Sequence, residues 1–192
     1  MTASEFHQIL KQVLKEEYGD AQDARLKYSV LKGKSSYRAL IDLEHAFSHV
    51  ICAYTKEDPT EIDHIKSHLQ RIATELTEQV AEDTLLSIRT KIDPYFRHPL
   101  LSKLMLIPYK AVAFAEHGKE LAKIQSLIYQ GRHLKGTAKT YRKCYNCFKE
   151  AANRAEELDQ KIPPSQFYSS FFTILVSIIV GTVFFVLGIL TN

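Results

Sequence analysis

The chain has 192 residues, a formal net charge of +3, three cysteines and only seven glycines. Three cysteines do not make a disulfide framework. The sequence has no Gly-rich phosphate loop, no G-x-S-x-G, no HExxH and no paired CxxC, which excludes the enzyme classes that depend on those motifs. Few glycines over long apolar periodicities favour an all-α protein. Residues 1–162 are therefore predicted to form a single domain, an antiparallel helical bundle.

The first part of the chain predicts three helices. A capping box at Thr2–Glu5 begins a helix that runs to Tyr18, and Gly19-Asp20 interrupts it before a short second helix over residues 21–31. A third helix is predicted over Ser35–Tyr54, with an apolar stripe on one face. That stripe consists of Leu40, Leu43, Phe47, Val50, Ile51 and Tyr54.

The strongest local signal is Asp58-Pro59-Thr60-Glu61, which places Asp at the N-cap, Pro at the first helical position and Glu at the third. A fourth helix is predicted to begin there. Its apolar phase slips at Asp83–Leu86, where a bend or break is expected. Asp93-Pro94 and His98-Pro99 are predicted to bracket a loop.

Two more helices complete the predicted bundle. Leu100–Gln130 reads as helical, Gly131–Gly136 as a turn, and Thr137–Gln160 as the last helix. Cys144 and Cys147 lie near the apolar line of that last helix. This position favours buried thiols over zinc or redox chemistry.

The predicted third helix also carries a polar face opposite its apolar stripe. Arg38 and His45 are seven residues apart, which brings them within roughly 20° of the same face, two turns apart. Asp42 and His49 share this face. Arg can neutralise a phosphate, and His can exchange protons near neutral pH. The four residues are therefore candidates for an interface or a catalytic site.

The spacing of Arg38 and His45 resembles the Arg-x4–6-His motif of the HEPN superfamily, with six residues between the two. The resemblance covers little beyond this one helix. It implies a small helical bundle that forms a dimer or a higher oligomer through this face. It also implies a metal-independent ribonuclease activity in which Arg38 and His45 would be the catalytic residues.

Two segments follow an acid-x-x-His-x-x-x-His pattern, Asp42–His49 and Glu61–His68. Carboxylate and imidazole groups at i, i+3 and i+7 share a helix face, as the ligands of bundle metal sites do. Both patterns are predicted to lie opposite apolar stripes, and Glu61 is predicted to cap its helix. Solvent-exposed histidines are therefore favoured, and no metal or cofactor is assigned. The alternative is a site at an oligomer interface.

Charge is unevenly distributed along the chain. Residues 1–101 carry thirteen basic and sixteen acidic side chains, and residues 102–161 carry twelve and six. The stretch from 123 to 149 contains no acid, which predicts a basic surface that faces anionic lipid or, alternatively, RNA. Its members are Lys123, Arg132, Lys135, Lys139, Arg142, Lys143 and Lys149.

The C-terminal stretch is the most apolar part of the chain. No charged side chain follows Lys161, and Phe171–Leu190 contains nothing more polar than Thr and Ser. A twenty-residue helix spans roughly 30 Å, the thickness of a bilayer core. Residues 163–192 are therefore predicted to form a single transmembrane anchor, and the basic flank predicts a cytoplasmic N-terminal domain. Small residues that could pair such anchors are Thr173, Ser177, Gly181 and Gly188.

The leading functional hypothesis is a single-pass membrane protein that acts by homo-oligomeric assembly at the membrane, for example as a membrane-perturbing effector in a defence system. Its expected interface residues are the four of the polar face and the four small residues of the anchor. One alternative is a membrane-tethered HEPN-like ribonuclease. Another is a tether or adaptor for a cytosolic partner.

Overall fold

The computed structural model describes residues 3–56, 58–97, 111–135, 140–162, 174 and 176–184, and every regular element among them is helical. This confirms the all-α helical bundle. The helices are α1 (Ala3–Lys32), α2 (Tyr37–Lys56), α3 (Thr60–Arg97), α4 (Ala111–Leu134) and α5 (Tyr141–Lys161). Residues 176–184 are helical as well.

Helix α3 contributes to both hydrophobic cores of the bundle. Its first half, from Ile62 to Leu76, forms a core with α1 and α2, to which Tyr141 and Tyr145 of α5 also contribute. Its second half, from Val80 to Ile92, forms a second core with α4 and α5. The predicted phase slip falls in this second half, and α3 continues through it as one helix.

The predicted start of α3 is confirmed. Asp58 Oδ1 accepts hydrogen bonds from the backbone N–H of Thr60 at 2.9 Å and from the Thr60 hydroxyl at 2.7 Å. These bonds satisfy a donor that the first turn of a helix leaves unpaired.

The predicted interruption at Gly19-Asp20 is wrong, because α1 runs unbroken from Ala3 to Lys32. Ala21 and Ala24, just beyond the glycine, are buried in the first core. Asp20 accepts a hydrogen bond from Arg142 at 2.5 Å. A glycine inside a helix costs about 1 kcal/mol relative to alanine, and these contacts outweigh that preference.

Two other predicted boundaries are displaced. Helix α3 passes Asp93-Pro94 and ends at Arg97, and Ile88 and Ile92 are buried against α4 and α5. Helix α4 extends past Gly131 to Leu134. Leu134 packs against the second core, so tertiary packing carries α4 beyond a residue that locally favours a turn. The expected kink at Pro108 lies outside the described residues.

The prediction of a transmembrane helix is contradicted by the described part of the structure. Within the described ranges, no helix is both long and apolar enough to cross a bilayer. The residues of 163–192, apart from Ile174 and residues 176–184, lie outside the described part of the chain.

Helices α4 and α5 are in close contact at Gly131. A Cβ atom built on Gly131 would lie 2.6 Å from the ring of Phe148, which is itself fully buried. The Sγ atom of Cys144 donates to the carbonyl oxygen of Gly131 at 3.2 Å. Burial raises the pKa of the Cys144 thiol, so the prediction of a buried core thiol is confirmed for this cysteine.

Two glycines of α4 predict opposite effects of the same substitution. Gly131→Ala is expected to destabilise the protein by about 1–3 kcal/mol, because the added methyl group overpacks against Phe148. Gly118→Ala is expected to stabilise it by up to about 1 kcal/mol, because nothing lies within 4 Å of the new Cβ. Urea unfolding followed by circular dichroism measures both. A stabilised Gly131→Ala protein would contradict the close contact.

Candidate functional site

Helix α2 turns small and polar side chains toward α3. Ala39, Ala46 and Ala53 recur every seven residues and are buried against the first core. Asp42 lies on the same inner side and is 5% exposed. The apolar stripe that the sequence predicts for this helix does not form its core face. Of the stripe residues, Leu43 and Val50 pack partly against the core.

Seven residues of α2 and α3 form what we call the histidine cluster. They are Asp42, His45 and His49 of α2 and Glu61, His64, His68 and Arg71 of α3. The two acid-x-x-His-x-x-x-His segments thus face each other across one helix pair within a single chain. His49 and His68 are partly buried, so the prediction of solvent-exposed histidines holds only for His45 and His64.

Asp42 anchors one end of the histidine cluster. Arg71 donates to it through Nε, at 3.0 Å from Oδ2, and through Nη2, which contacts Oδ1. His68 Nδ1 lies 3.1 Å from Oδ1. Burial raises the pKa of the Asp42 carboxyl, but the hydrogen bonds from Arg71 and His68 outweigh burial and hold that pKa below its usual value.

The imidazole rings form a row between the two helices. The ring of His68 lies 5.3 Å from that of His45 and 5.4 Å from that of His49. His49 in turn stacks on His64 at 5.0 Å. Burial lowers the pKa of His68, with the Arg71 charge acting in the same direction and Asp42 opposing it. A row of this kind supplies several nitrogen lone pairs in a small volume.

The far end of the histidine cluster is closed by Glu61. His49 Nδ1 donates to Glu61 Oε2 at 2.5 Å. The sequence predicted that Glu61 would cap its own helix, and the cross-helix bond to His49 is the contact that the structure gives its carboxylate. Sequence reasoning also missed Arg71. The available signal was its position three residues after His68, on the same helix face.

Asp42, His45 and His68 are arranged as metal ligands could be. One ligand atom from each lies within 4.8 Å of the others. Carboxylate and imidazole are ligands that late first-row divalent cations accept.

The outer face of α2 carries a second feature, which we call the α2 seam. Its residues are Tyr37, Leu40, Glu44, Phe47, Ile51 and Tyr54, spaced alternately three and four residues apart. Its five large apolar side chains are 78%, 42%, 48%, 64% and 64% exposed in chain order. Helix α1 contacts the seam through the ring pairs Tyr18–Phe47 at 6.3 Å and His7–Tyr54 at 5.6 Å.

The candidate catalytic pair occupies two different environments. Arg38 Nε lies 3.4 Å from Glu75 Oε2, and the Arg38 side chain is largely exposed. His45 belongs to the histidine cluster, next to His68. A ribonuclease role for Arg38 and His45 stays a prediction.

Three of the seven basic residues predicted to face lipid or RNA are held by carboxylates of the same chain. Arg132 and Lys135 pair with Glu78, and Arg142 pairs with Asp20. Lys149 lies over the ring of Tyr145 at 5.4 Å. Lys123 and Lys143 are exposed, and Lys139 lies outside the described residues. These ion pairs reduce the positive charge that the surface offers to an anionic partner.

The four small residues of the C-terminal stretch are only partly described. Ser177 and Gly181 lie on the helix over residues 176–184 and are exposed. Thr173 and Gly188 lie outside the described residues. Their role in self-association stays a prediction.

Comparison of the chain with protein-family models, with curated proteins and with solved structures finds no match in any of the three. Function is therefore argued from the histidine cluster and the α2 seam themselves.

Removing the Asp42 carboxylate is expected to loosen α2 from α3. Asp42→Asn should lower the free energy of unfolding by roughly 1–3 kcal/mol at neutral pH, because Arg71 and His68 lose a charged, buried partner. Because the pKa of Asp42 is depressed in the folded protein, this contribution to stability is fully present above the unfolded-state pKa of about 4. It is lost as pH falls through the lower pKa of the folded state.

Urea unfolding in metal-free buffer from pH 7 to pH 3 tests this expectation. The difference between wild type and Asp42→Asn should shrink at the acid end. Asp23→Asn is the matched control, since it makes the same change at an exposed aspartate of α1 outside the α2 seam. A loss of stability as large in Asp23→Asn as in Asp42→Asn would contradict the assignment.

Proposed function

We propose that this protein acts by forming homo-oligomers, in which the α2 seams of two copies pair antiparallel. The proposal makes it an interaction protein rather than an enzyme. The observation that supports this proposal is the solvent exposure of the apolar side chains in the α2 seam. Full burial of an exposed apolar side chain of this size stabilises by up to roughly 1.5–3 kcal/mol, and five of them share one helix face.

The spacing of the α2 seam favours a helix as its occupant. Alternating intervals of three and four residues place the seam residues at successive a and d positions of a heptad. The opposite positions are those of Ala39, Ala46 and Ala53, which face the core. Helix α2 therefore has one set of heptad positions engaged with its own chain and another set open for a second helix.

The order of residues along the α2 seam favours a second copy in the antiparallel direction. The seam reads Tyr, Leu, Glu, Phe, Ile, Tyr. Reversed, it sets Tyr37 against Tyr54 of a second copy and Leu40 against Ile51. A twofold axis between Glu44 and Phe47 thus pairs aromatic with aromatic and aliphatic with aliphatic residues at the outer positions. At the centre it sets Glu44 against Phe47 of the second copy, and each contact occurs twice, as in an isologous interface.

The residues beside the α2 seam do not oppose this pairing. On its two flanks lie Ser36, Leu43 and Val50 and, on the other side, Ile41, Ser48 and Thr55. None of them is charged, so two copies meet without repulsion between the flanks. Glu44 is the one charge within the seam. Such a polar residue at an a position selects a register at some loss of stability.

This interface lies on the face of α2 opposite to the one that the sequence predicted. Asp42 is buried against α3 and His49 is partly buried, so the two residues face their own chain. The proposal keeps homo-oligomeric assembly from the sequence hypothesis. It does not draw on a membrane anchor.

Ile51→Glu is expected to weaken the oligomer at least about tenfold, which corresponds to about 1.4 kcal/mol, because a carboxylate would be buried within the seam, opposite Leu40 of the second copy. Ile51 is mostly exposed in the monomer, so its fold should be unaffected. Sedimentation equilibrium of the full chain measures the effect. A mild non-ionic detergent keeps the apolar C-terminal stretch from associating on its own.

Val30→Glu is the matched control, because Val30 is an exposed apolar residue of α1 outside the α2 seam. It should leave the oligomer unchanged. A monomeric wild-type protein, or an equal loss of affinity in both variants, would refute the proposal.

Glu44→Leu is expected to tighten the oligomer, since it replaces the charge within the seam by an apolar side chain. Glu16→Leu, an exposed position of α1, should have no such effect. The same sedimentation experiment measures both dissociation constants. Unchanged affinity in Glu44→Leu would place the interface elsewhere.

A further inference from the structure

The histidine cluster brings an imidazole nitrogen and a carboxylate oxygen together around a single cationic group. His68 Nδ1 lies 3.1 Å from Asp42 Oδ1 and 2.9 Å from Arg71 Nη2. If Nδ1 carries a hydrogen, it donates to Asp42 and cannot accept from Arg71. If it does not, it accepts from Arg71 and its lone pair faces that of the carboxylate. Either tautomer leaves one of the two contacts unfavourable.

A cation between the imidazole and the carboxylate removes this conflict, because it accepts both lone pairs at once. The Arg71 guanidinium already holds positive charge at that position, contacting Asp42 Oδ1 and His68 Nδ1 with a single nitrogen. His45 completes the set from α2, with its ligand atom within 4.8 Å of those of Asp42 and His68.

We propose that Asp42, His45 and His68 bind a divalent transition-metal ion of the zinc class, which bridges α2 and α3. Two imidazoles and one carboxylate are a donor set suited to zinc and its neighbours rather than to magnesium or calcium, which take oxygen ligands. Three protein ligands leave a fourth position for water in a tetrahedral site.

Binding requires only small movements. Zinc–nitrogen distances of about 2.0–2.1 Å set ligand atoms roughly 3.3 Å apart in a tetrahedron, compared with at most 4.8 Å here. His45 is exposed, so the ion can enter from solvent. Arg71 is partly exposed, so its guanidinium can withdraw into solvent as the ion arrives.

His49 restricts the orientation of the proposed ligand His68. Its ring stacks on that of His68 at 5.4 Å, while its Nδ1 is held by Glu61. This bond limits rotation of His49 and thereby restricts the ring of His68 as well. Groups that orient a ligand contribute to metal affinity even without touching the ion.

The test is calorimetric titration of the full-length, chelator-treated protein with zinc chloride, together with the visible spectrum of a cobalt(II) complex. One ion per chain and the absorption bands of tetrahedral cobalt are expected. Bound zinc should also raise the melting temperature, because the ion binds the folded chain. Absence of binding would overturn the proposal.

The zinc affinities of single-residue variants show which side chains bind the ion. His45→Ala is expected to lower zinc affinity at least about tenfold without affecting the fold, since His45 is exposed. Asp42→Asn should lower it similarly. His133→Ala is the matched control, as an exposed histidine of α4 outside the cluster, and should leave affinity unchanged.

A one-helix site is the main competitor, because His45 and His49 are an i, i+4 pair that could hold an ion by themselves. His68→Ala separates the two arrangements, with its fold checked by circular dichroism. Loss of affinity supports the bridged site, and unchanged affinity overturns it. Arg71→Ala is expected to raise affinity several-fold by removing the competing cation, and a weaker site in that variant would contradict displacement of the guanidinium.

Discussion

The fold depends on one constraint, which is the length of α3. A helix of 38 residues extends roughly 57 Å, and no neighbouring helix among the described residues is as long. Two successive cores solve this problem, one with α1 and α2 and one with α4 and α5. Because all four helices pack on α3, its continuity through the phase slip and past Asp93-Pro94 sets the relative positions of the two cores.

Helix α2 has an inverted distribution of side chains. Five of its larger apolar residues lie in the α2 seam, whereas its inner face consists mainly of alanines and the polar residues of the histidine cluster. Small side chains let α2 approach α3 closely, and the ion pair of the buried Asp42 with Arg71 holds it there. A buried ion pair is weak evidence for stability but can specify one arrangement among several. Here it selects the face that α2 turns inward.

The histidine cluster and the α2 seam are two faces of one helix, and this links the two proposals physically. A metal ion that bridges α2 and α3 would fix the rotation of α2 and so present the seam in one orientation. Self-association needs no ion, and ion binding needs no second copy. The two are therefore separable by variants on opposite faces of α2, such as Ile51→Glu and His45→Ala.

Local chemistry in the sequence determined the helical class, the Asp58 start of α3 and the burial of Cys144, because each depends on residues close together in the chain. The paired acid and histidine segments were also visible there, as were four of the six members of the α2 seam, Leu40, Phe47, Ile51 and Tyr54. Tertiary structure decided which face of α2 is inside. Hydrophobic periodicity assigned the stripe of Leu40, Phe47 and Ile51 to the core, but the pairing of Asp42 with His68 and Arg71, 26 and 29 residues away, reversed that assignment. Such a partner cannot be read from the spacing within one helix. The same cross-helix packing carried α1 through Gly19, since a local preference of about 1 kcal/mol is smaller than the burial on either side of it.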